Sequence, residues 1–441
     1  MEDNAMQKKF EDLFYEFTAE KSSKDWLSPD QIFFRGSKDM PGATMHCGFQ
    51  VVTGPAVLLD QPICHTFNAH MVFLGATFPD VFKSFDAEIH FYMGKTLDTM
   101  EKIVITEPTI LKIPKGYWHG PLKIVRVGKP LYYQKVLFNG EADYLQLIEE
   151  NGKTRYLYMP EPEGSDTDFY LSGYKSVPWT VINEDGIERY SEDGSYDDTK
   201  APDSRQCVVR PGYTTNTYTE ASTLIAEKPP LKPETAKMIL AVPREETQWG
   251  PWCPSPQAYF RGDIYMEDSF YNVGFQVFTA ANNMEDPHFH QAVDEYIFFI
   301  SADPTRPEEF DAEIEFMIGD DPDHMESRMI TKPTVVRLPP NVWHCPIKFR
   351  KMNKPLIFQA AFLNGTWGTI VRKKNTAEEA SPFFNREYVY EYMGDNVRFC
   401  KFNKQKRCNI CGACFPKMDE IDFDKLDEEE KKKRAEDSQK A

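Results

Sequence analysis

Two stretches of this chain repeat one another at a fixed distance, and that duplication limits the possible folds more than any other feature of the sequence. Phe34-Arg35-Gly36 returns as Phe260-Arg261-Gly262, and Gly48-Phe49-Gln50-Val51 returns as Gly274-Phe275-Gln276-Val277, both 226 positions on. The register then continues at 225. Phe85-Asp86-Ala87-Glu88-Ile89-His90-Phe91-Tyr92-Met93-Gly94 faces Phe310-Asp311-Ala312-Glu313-Ile314-Glu315-Phe316-Met317-Ile318-Gly319, with seven of ten positions identical. Trp118-His119 matches Trp343-His344, so each copy runs for about 110 residues, the length of one domain. Inside the copies, Phe85, Ala87, Ile89, Phe91 and Met93 alternate with polar residues, the period-two pattern of a half-buried strand. Short apolar runs broken by Gly, Pro and Asp complete the signature of an all-β chain.

The chemistry concentrates in the second copy. His288 and His290 stand at i, i+2 on an extended segment and so point the same way. With Glu295 and the distant His344 they can close a pocket of three nitrogens and one oxygen, a ligand set for a divalent metal such as Mn, Fe, Ni or Zn. Histidine is scarce, nine in 441, yet three fall at these positions. Aligned at 225, the first copy places Ile63, His65, His70 and His119 opposite the four. That leaves two readings: a second metal on the three-histidine face of His65, His70 and His119, or a decayed site kept for packing. Lys123 and Lys348 lie four residues beyond the motif histidines. On a regular strand they face the same way, where Lys348 can act in catalysis by receiving a substrate carboxylate, or pair with an acid such as Glu313. Cys64 and Cys345, next to ligand positions, are expected to face away from any metal. Gln50 and Gln276 are candidates for supporting contacts, and Arg35 and Arg261 for structural ion pairs.

The pattern His288-x-His290-x4-Glu295 with His344 is similar to the metal motifs of the cupin superfamily, and Pro114-x-Gly116-x-x-His119 resembles the second of them. With the duplication, the chain resembles a bicupin. That resemblance implies two tandem antiparallel jelly-roll barrels, each with a ligand site in its mouth, and copies able to pair as a homodimer. It also implies a metal-dependent enzyme working on a small oxygen-rich metabolite (a carboxylate, keto acid or sugar acid) by isomerisation, decarboxylation or oxygenation; a sensor without catalysis is the alternative. Two departures stand out. The glycine usual after the motif's glutamate is missing after Glu295. The turn before His344 reads Pro339-Pro340-Asn341, where asparagine can adopt the left-handed conformation of glycine.

The remaining segments divide as 1–30, 31–145 and 256–372 for the barrels, 146–255 between them, and 373–441. Phe10, Leu13, Phe14 and Phe17 have helical spacing and predict a short N-terminal amphipathic helix. The acidic middle region is long for a linker, and Tyr156-Leu157-Tyr158 and Trp179-Thr180-Val181-Ile182 can add strands that pack on the barrels. Cys408, Cys411 and Cys414, with Cys400 as a fourth ligand, suit either a zinc ion or an iron–sulfur cluster, and free thiols otherwise. The final run, rich in Glu and Lys, is expected to be solvated. A formal charge of -18 argues against nucleic acid as a partner, no apolar run is long enough to span a membrane, and a cytoplasmic location is the default.

Overall fold

The computed structural model describes residues 10–59, 62–150, 153–159, 180–183, 186–189, 230–246, 249–290, 293–363, 368–374 and 388–394. Cys400, Cys408, Cys411, Cys414 and the charged terminus lie outside them.

Each copy folds as two antiparallel sheets packed face to face, the jelly-roll plan expected of the alternating strands. In the first barrel, one sheet orders Thr109–Ile113, Ala69–Gly75, Leu131–Leu137, His46–Val52 and Asp30–Arg35; its equivalent in the second orders Thr334–Leu338, Glu295–Ser301, Leu356–Phe362, Asn272–Phe278 and Gln257–Arg261. These two sheets stack back to back, so their strands are buried on both faces. In Glu295–Ser301, Ile297 and Phe299 enter the core of the second barrel, while Tyr296, Phe298 and Ile300 enter a core shared by both barrels. At its centre Gln134 and Gln359, related by 225 positions, exchange amide hydrogen bonds of 3.2 and 3.1 Å. A side chain that meets its own counterpart marks the pseudo-two-fold axis.

The N-terminal segment departs from the helix its spacing predicts. It makes one 3-10 turn, Glu11–Leu13, and then a strand, Phe14–Glu16, paired with Thr334–Leu338 of the second barrel. The segment Ile239–Ala241, 225 positions later, pairs in the same register with Thr109–Ile113 of the first barrel. The two arms are therefore exchanged, and aromatic residues read as a helix face pack across a sheet edge instead: Phe10 enters the second barrel's core and Phe17 the shared one. The repeat begins well before residue 31. In the middle region, Tyr144–Glu150, Lys153–Met159, Thr180–Asn183 and Gly186–Arg189 extend the other sheet of the first barrel by successive hairpins. Of the segments singled out as strand formers there, Tyr156-Leu157-Tyr158 and Thr180-Val181-Ile182 are strands, and Trp179 lies outside the described residues.

Candidate metal centre

The four candidate ligands of the second barrel come from both sheets at one end of the sandwich. His288 begins a two-residue strand that pairs with His344 on one side and Val371 on the other. Glu295 starts the strand of the facing sheet and reaches across. All four side chains are buried. Glu295 Oε2 lies 3.0 Å from His290 Nε2 and 3.3 Å from His344 Nε2, and the rings of His288 and His344 are 4.2 Å apart. His288 Nδ1–H donates to the Asp286 carbonyl at 2.8 Å and His344 Nδ1–H to the Val342 carbonyl at 3.1 Å. Both bonds fix the tautomer with an Nε2 lone pair facing inward, the arrangement a metal-binding imidazole needs.

The electrostatics follow from crowding. Burial would raise the Glu295 carboxyl, but the imidazoles of His290 and His344 outweigh it and hold the group well below the usual carboxylate range. Burial, reinforced by His344 and His290, pushes His288 well below its ordinary value, so it stays neutral. His344 Nε2 and Glu295 Oε2 are nonetheless buried with no well-aligned hydrogen bond. Lone pairs converging without a donor between them fit a cation.

The turns preceding the second-motif histidines match between the barrels. Gly116 and Asn341 both take left-handed φ, 78° and 69°, and donate their N–H groups to the carbonyls of His65 at 2.8 Å and His290 at 2.9 Å. Asparagine does replace glycine there. Two jelly rolls, joined about a pseudo-two-fold axis, each carry this turn against the histidine that it positions. The fold is a bicupin.

Comparison with protein-family models and with curated protein sequences gives no match. Among solved structures, this bicupin resembles oxalate decarboxylase from Bacillus subtilis, described with Mn(II) centres, at 10% identity and a TM-score of 0.45 over 81% of this chain and 79% of that one. It resembles the Lactobacillus farciminis oxalate decarboxylase formate complex at 9% identity and a TM-score of 0.44, over 81% and 88% of the two chains.

Several expected site residues lie elsewhere in the bicupin. In the first barrel, Ala69 occupies the register of Glu295: Ala69 pairs with Leu137 and Ile113 as Glu295 pairs with Phe362 and Leu338. The loop after His65 is one residue shorter than the loop after His290, so the uniform register of 225 slips by one at this strand. Because strand side chains alternate, a slip of one turns His70 onto the opposite face. It lies in the shared core against Phe138, Phe260 and Tyr271, with Nε2 3.1 Å from Ser269 Oγ. His65 and His119 stay together, ring centroids 5.0 Å apart, but the three-histidine face does not form.

A similar phase change removes Lys348 from the cavity. Between His344 and Ile347 the strand bulges, and a one-residue bulge reverses which residues face inward. Lys348 lies on the outer face, 3.3 Å from Glu315. The same bulge holds Cys345 at φ 67°, where its counterpart is Gly120 at 98°. Contrary to the expectation for Cys345, its thiol turns into the cavity, within 4.8 Å of ligand atoms of His288 and His344. Burial, then Glu285 and Glu295, raise that thiol well above its ordinary value. Cys64 does pack away from the histidines, beside Trp118. Arg35 pairs with Glu20, and Arg261 with Glu245 through Nε at 2.9 Å, as recurring structural ion pairs.

The cavity of the second barrel has a volume of about 620 Å³ and carries Glu245, Glu246, Glu285 and Asp286 besides Glu295. Glu285 was not singled out by sequence, since no motif spans it. It adopts a left-handed φ of 54° and places Oε2 3.3 Å from His288 Nε2. Its side chain stays 44% exposed at the mouth of the cavity; partial withdrawal from water there and the nearby Glu295 raise its carboxyl above the usual range. Gln276 also lines the cavity. No helix among the described residues is long and apolar enough to cross a membrane.

Proposed function

We propose that the second barrel is the active centre of a metal-dependent enzyme acting on a small oxygen-rich metabolite. The observation that carries this reading is the buried convergence of Glu295 Oε2, His290 Nε2 and His344 Nε2 at the floor of a cavity of about 620 Å³. His288, His290, Glu295 and His344 would hold one divalent cation, Mn, Fe, Ni or Zn, which supplies Lewis-acid polarisation of a substrate oxygen. Glu285 Oε2, on the open side of His288, is placed to hold or pass a proton to the bound molecule. Arg261, the cation among the lining residues, is tied to Glu245.

The acidic wall ranks the possible substrates. Like charges face an incoming anion, so an uncharged hydroxy-carbonyl compound fits this cavity better than a keto acid or a dianion such as oxalate. Proton-transfer isomerisation at a carbon next to a carbonyl uses what the site offers: an acid/base group and a place to polarise oxygen.

The test is elemental analysis of the purified full chain, followed by incubation with neutral aldoses, ketoses and hydroxy acids in deuterated water. We expect close to one equivalent of Mn, Fe, Ni or Zn that depends on His290 and Glu295, and deuterium exchange into a neutral substrate. Metal at trace level in a folded chain would refute the reading. Metal without turnover or exchange on any compound would move it to a metabolite sensor.

A further inference from the structure

The cavity of the first barrel occupies the same register as that of the second but has been refilled. Gln50, Leu58, Ile63, His65, Tyr133 and Lys135 line it, and its volume is about 60 Å³. That is several times the ~10–15 Å³ that admits a single water, so the cavity takes a small molecule of only a few non-hydrogen atoms. Lys135 decides its chemistry. It takes the place of Ala360: Lys135 pairs with Met71 as Ala360 pairs with Ile297, on the strand face that looks into the barrel. Among the described residues its ammonium has no ion-pair partner.

A divalent metal does not fit here. Ile63 and Ala69 stand where His288 and Glu295 stand in the second barrel, and the remaining two nitrogens share the space with a fixed positive charge. After burial itself, that charge is the largest influence keeping His65 and His119 neutral.

What the cavity presents instead is a set of donors and acceptors. His65 Nδ1–H donates to the Asp143 carbonyl at 2.8 Å and His119 Nδ1–H to the Tyr117 carbonyl at 3.2 Å, so each Nε2 is an acceptor. Both Nε2 atoms are buried without a partner, and so is the Gln50 amide nitrogen, a donor, on a residue 1% exposed. Of these, His65 Nε2 and the Gln50 amide nitrogen belong to residues that line the space with Lys135, and two unsatisfied polar atoms beside an ammonium with no ion-pair partner among the described residues are costly unless something bridges them.

We propose that the first barrel is a metal-free binding site for a small hydroxycarboxylate of two or three carbons: Lys135 and Gln50 receive the carboxylate, and the hydroxyl donates to His65 Nε2. The size of the cavity sets the carbon number. The pairing of donors with acceptors sets the class, since a plain carboxylate leaves the histidine unsatisfied and a neutral diol leaves the ammonium unpaired. Burial pulls the Lys135 amine down to about 8, which still leaves it mostly charged at neutral pH.

The test is calorimetric titration of the full chain, freed of metal with a chelator, with glycolate, acetate and glycolamide. We expect one glycolate per chain, with acetate and glycolamide about tenfold or more weaker, and Lys135→Met weakening glycolate about ten- to a hundredfold. Reductive methylation read by peptide mass spectrometry gives a second readout that does not depend on the variant's folding: bound glycolate should protect Lys135 of the native sequence. Absence of glycolate binding, equal binding by Lys135→Met, or an unprotected Lys135 would each overturn the proposal. So would a metal equivalent in the native chain that is lost on replacing His65 or His119 by alanine.

Discussion

The roles assigned to single residues separate binding from chemistry. Glu295→Gln removes the oxygen that His290 and His344 share, so metal content should collapse. Glu285→Gln keeps the ligand set and removes an acid/base group, so metal should stay near one equivalent while turnover falls about a hundredfold or more. His70 offers a test of a different kind. Burial, and then Lys112 beside it, hold this imidazole neutral down to about pH 3, whereas in the unfolded chain it takes up a proton near its ordinary 6.5. Its neighbours are the shared-core aromatics, Ser269, and Lys112, whose ammonium donates to the carbonyls of Glu267 and Asp268. Stability linked to His70 is therefore complete above pH 6.5 and falls as pH drops toward 3, by about 2 kcal/mol at pH 5. Urea unfolding of His70→Phe at pH 7 and pH 5 should show a pH difference smaller by about that amount; an unchanged difference would mean that the ring is already charged in the fold. The convergence of His288, His290, Glu295 and His344 in the second barrel was legible because motif spacing is preserved where strands are regular. The misplacement of His70, Lys348 and Cys345 has one common cause: a loop shortened by one residue, or a bulge, leaves no mark on composition but inverts the side of the sheet that a residue faces.

At the scale of elements, the exchanged arms carry more than their length suggests. Phe17 sits in the shared core, its ring 6.1 Å from Phe49 and 6.3 Å from Phe298, and its N–H donates to the Pro333 carbonyl at 2.8 Å. Phe17→Ala should cost about 3–5 kcal/mol, read as a lowered denaturant midpoint. A loss under about 1 kcal/mol would show that the arm is loosely held. Helical spacing at Phe10, Leu13, Phe14 and Phe17 misled because a short strand followed by a turn can bury the same residues against two different cores. The clue present in the sequence was the repeat itself: Ile239-Leu240-Ala241-Val242, 225 positions after Phe14-Tyr15-Glu16-Phe17, is apolar without sharing a residue. Similar hydrophobicity without identity lies below what a motif comparison detects.

The two barrels should unfold as one cooperative body, because among the described residues sheets from both halves bury each other's outer faces. Scanning calorimetry should give a single transition whose van't Hoff and calorimetric enthalpies agree, and two resolved transitions would contradict the shared core. The reciprocal amides at its centre make a sharper test. Gln134→Leu or Gln359→Leu alone strands a buried partner and should cost about 1–3 kcal/mol, whereas the double variant should recover most of that loss.

The exchanged arms also bear on time. The strand Phe14–Glu16 leaves the ribosome about 320 residues before its partner around Val336, an interval of tens of seconds at ~5–20 residues per second. The first barrel, likewise, waits for Ile239–Ala241 to close its sheet. A nascent chain thus carries an unpaired strand and an open edge through most of its synthesis, both suited to recruit the same segments of a neighbouring chain on the same message. Crowded polysomes should accordingly yield intertwined dimers, joined by the contacts that hold the monomer together, while slow dilute refolding yields monomers.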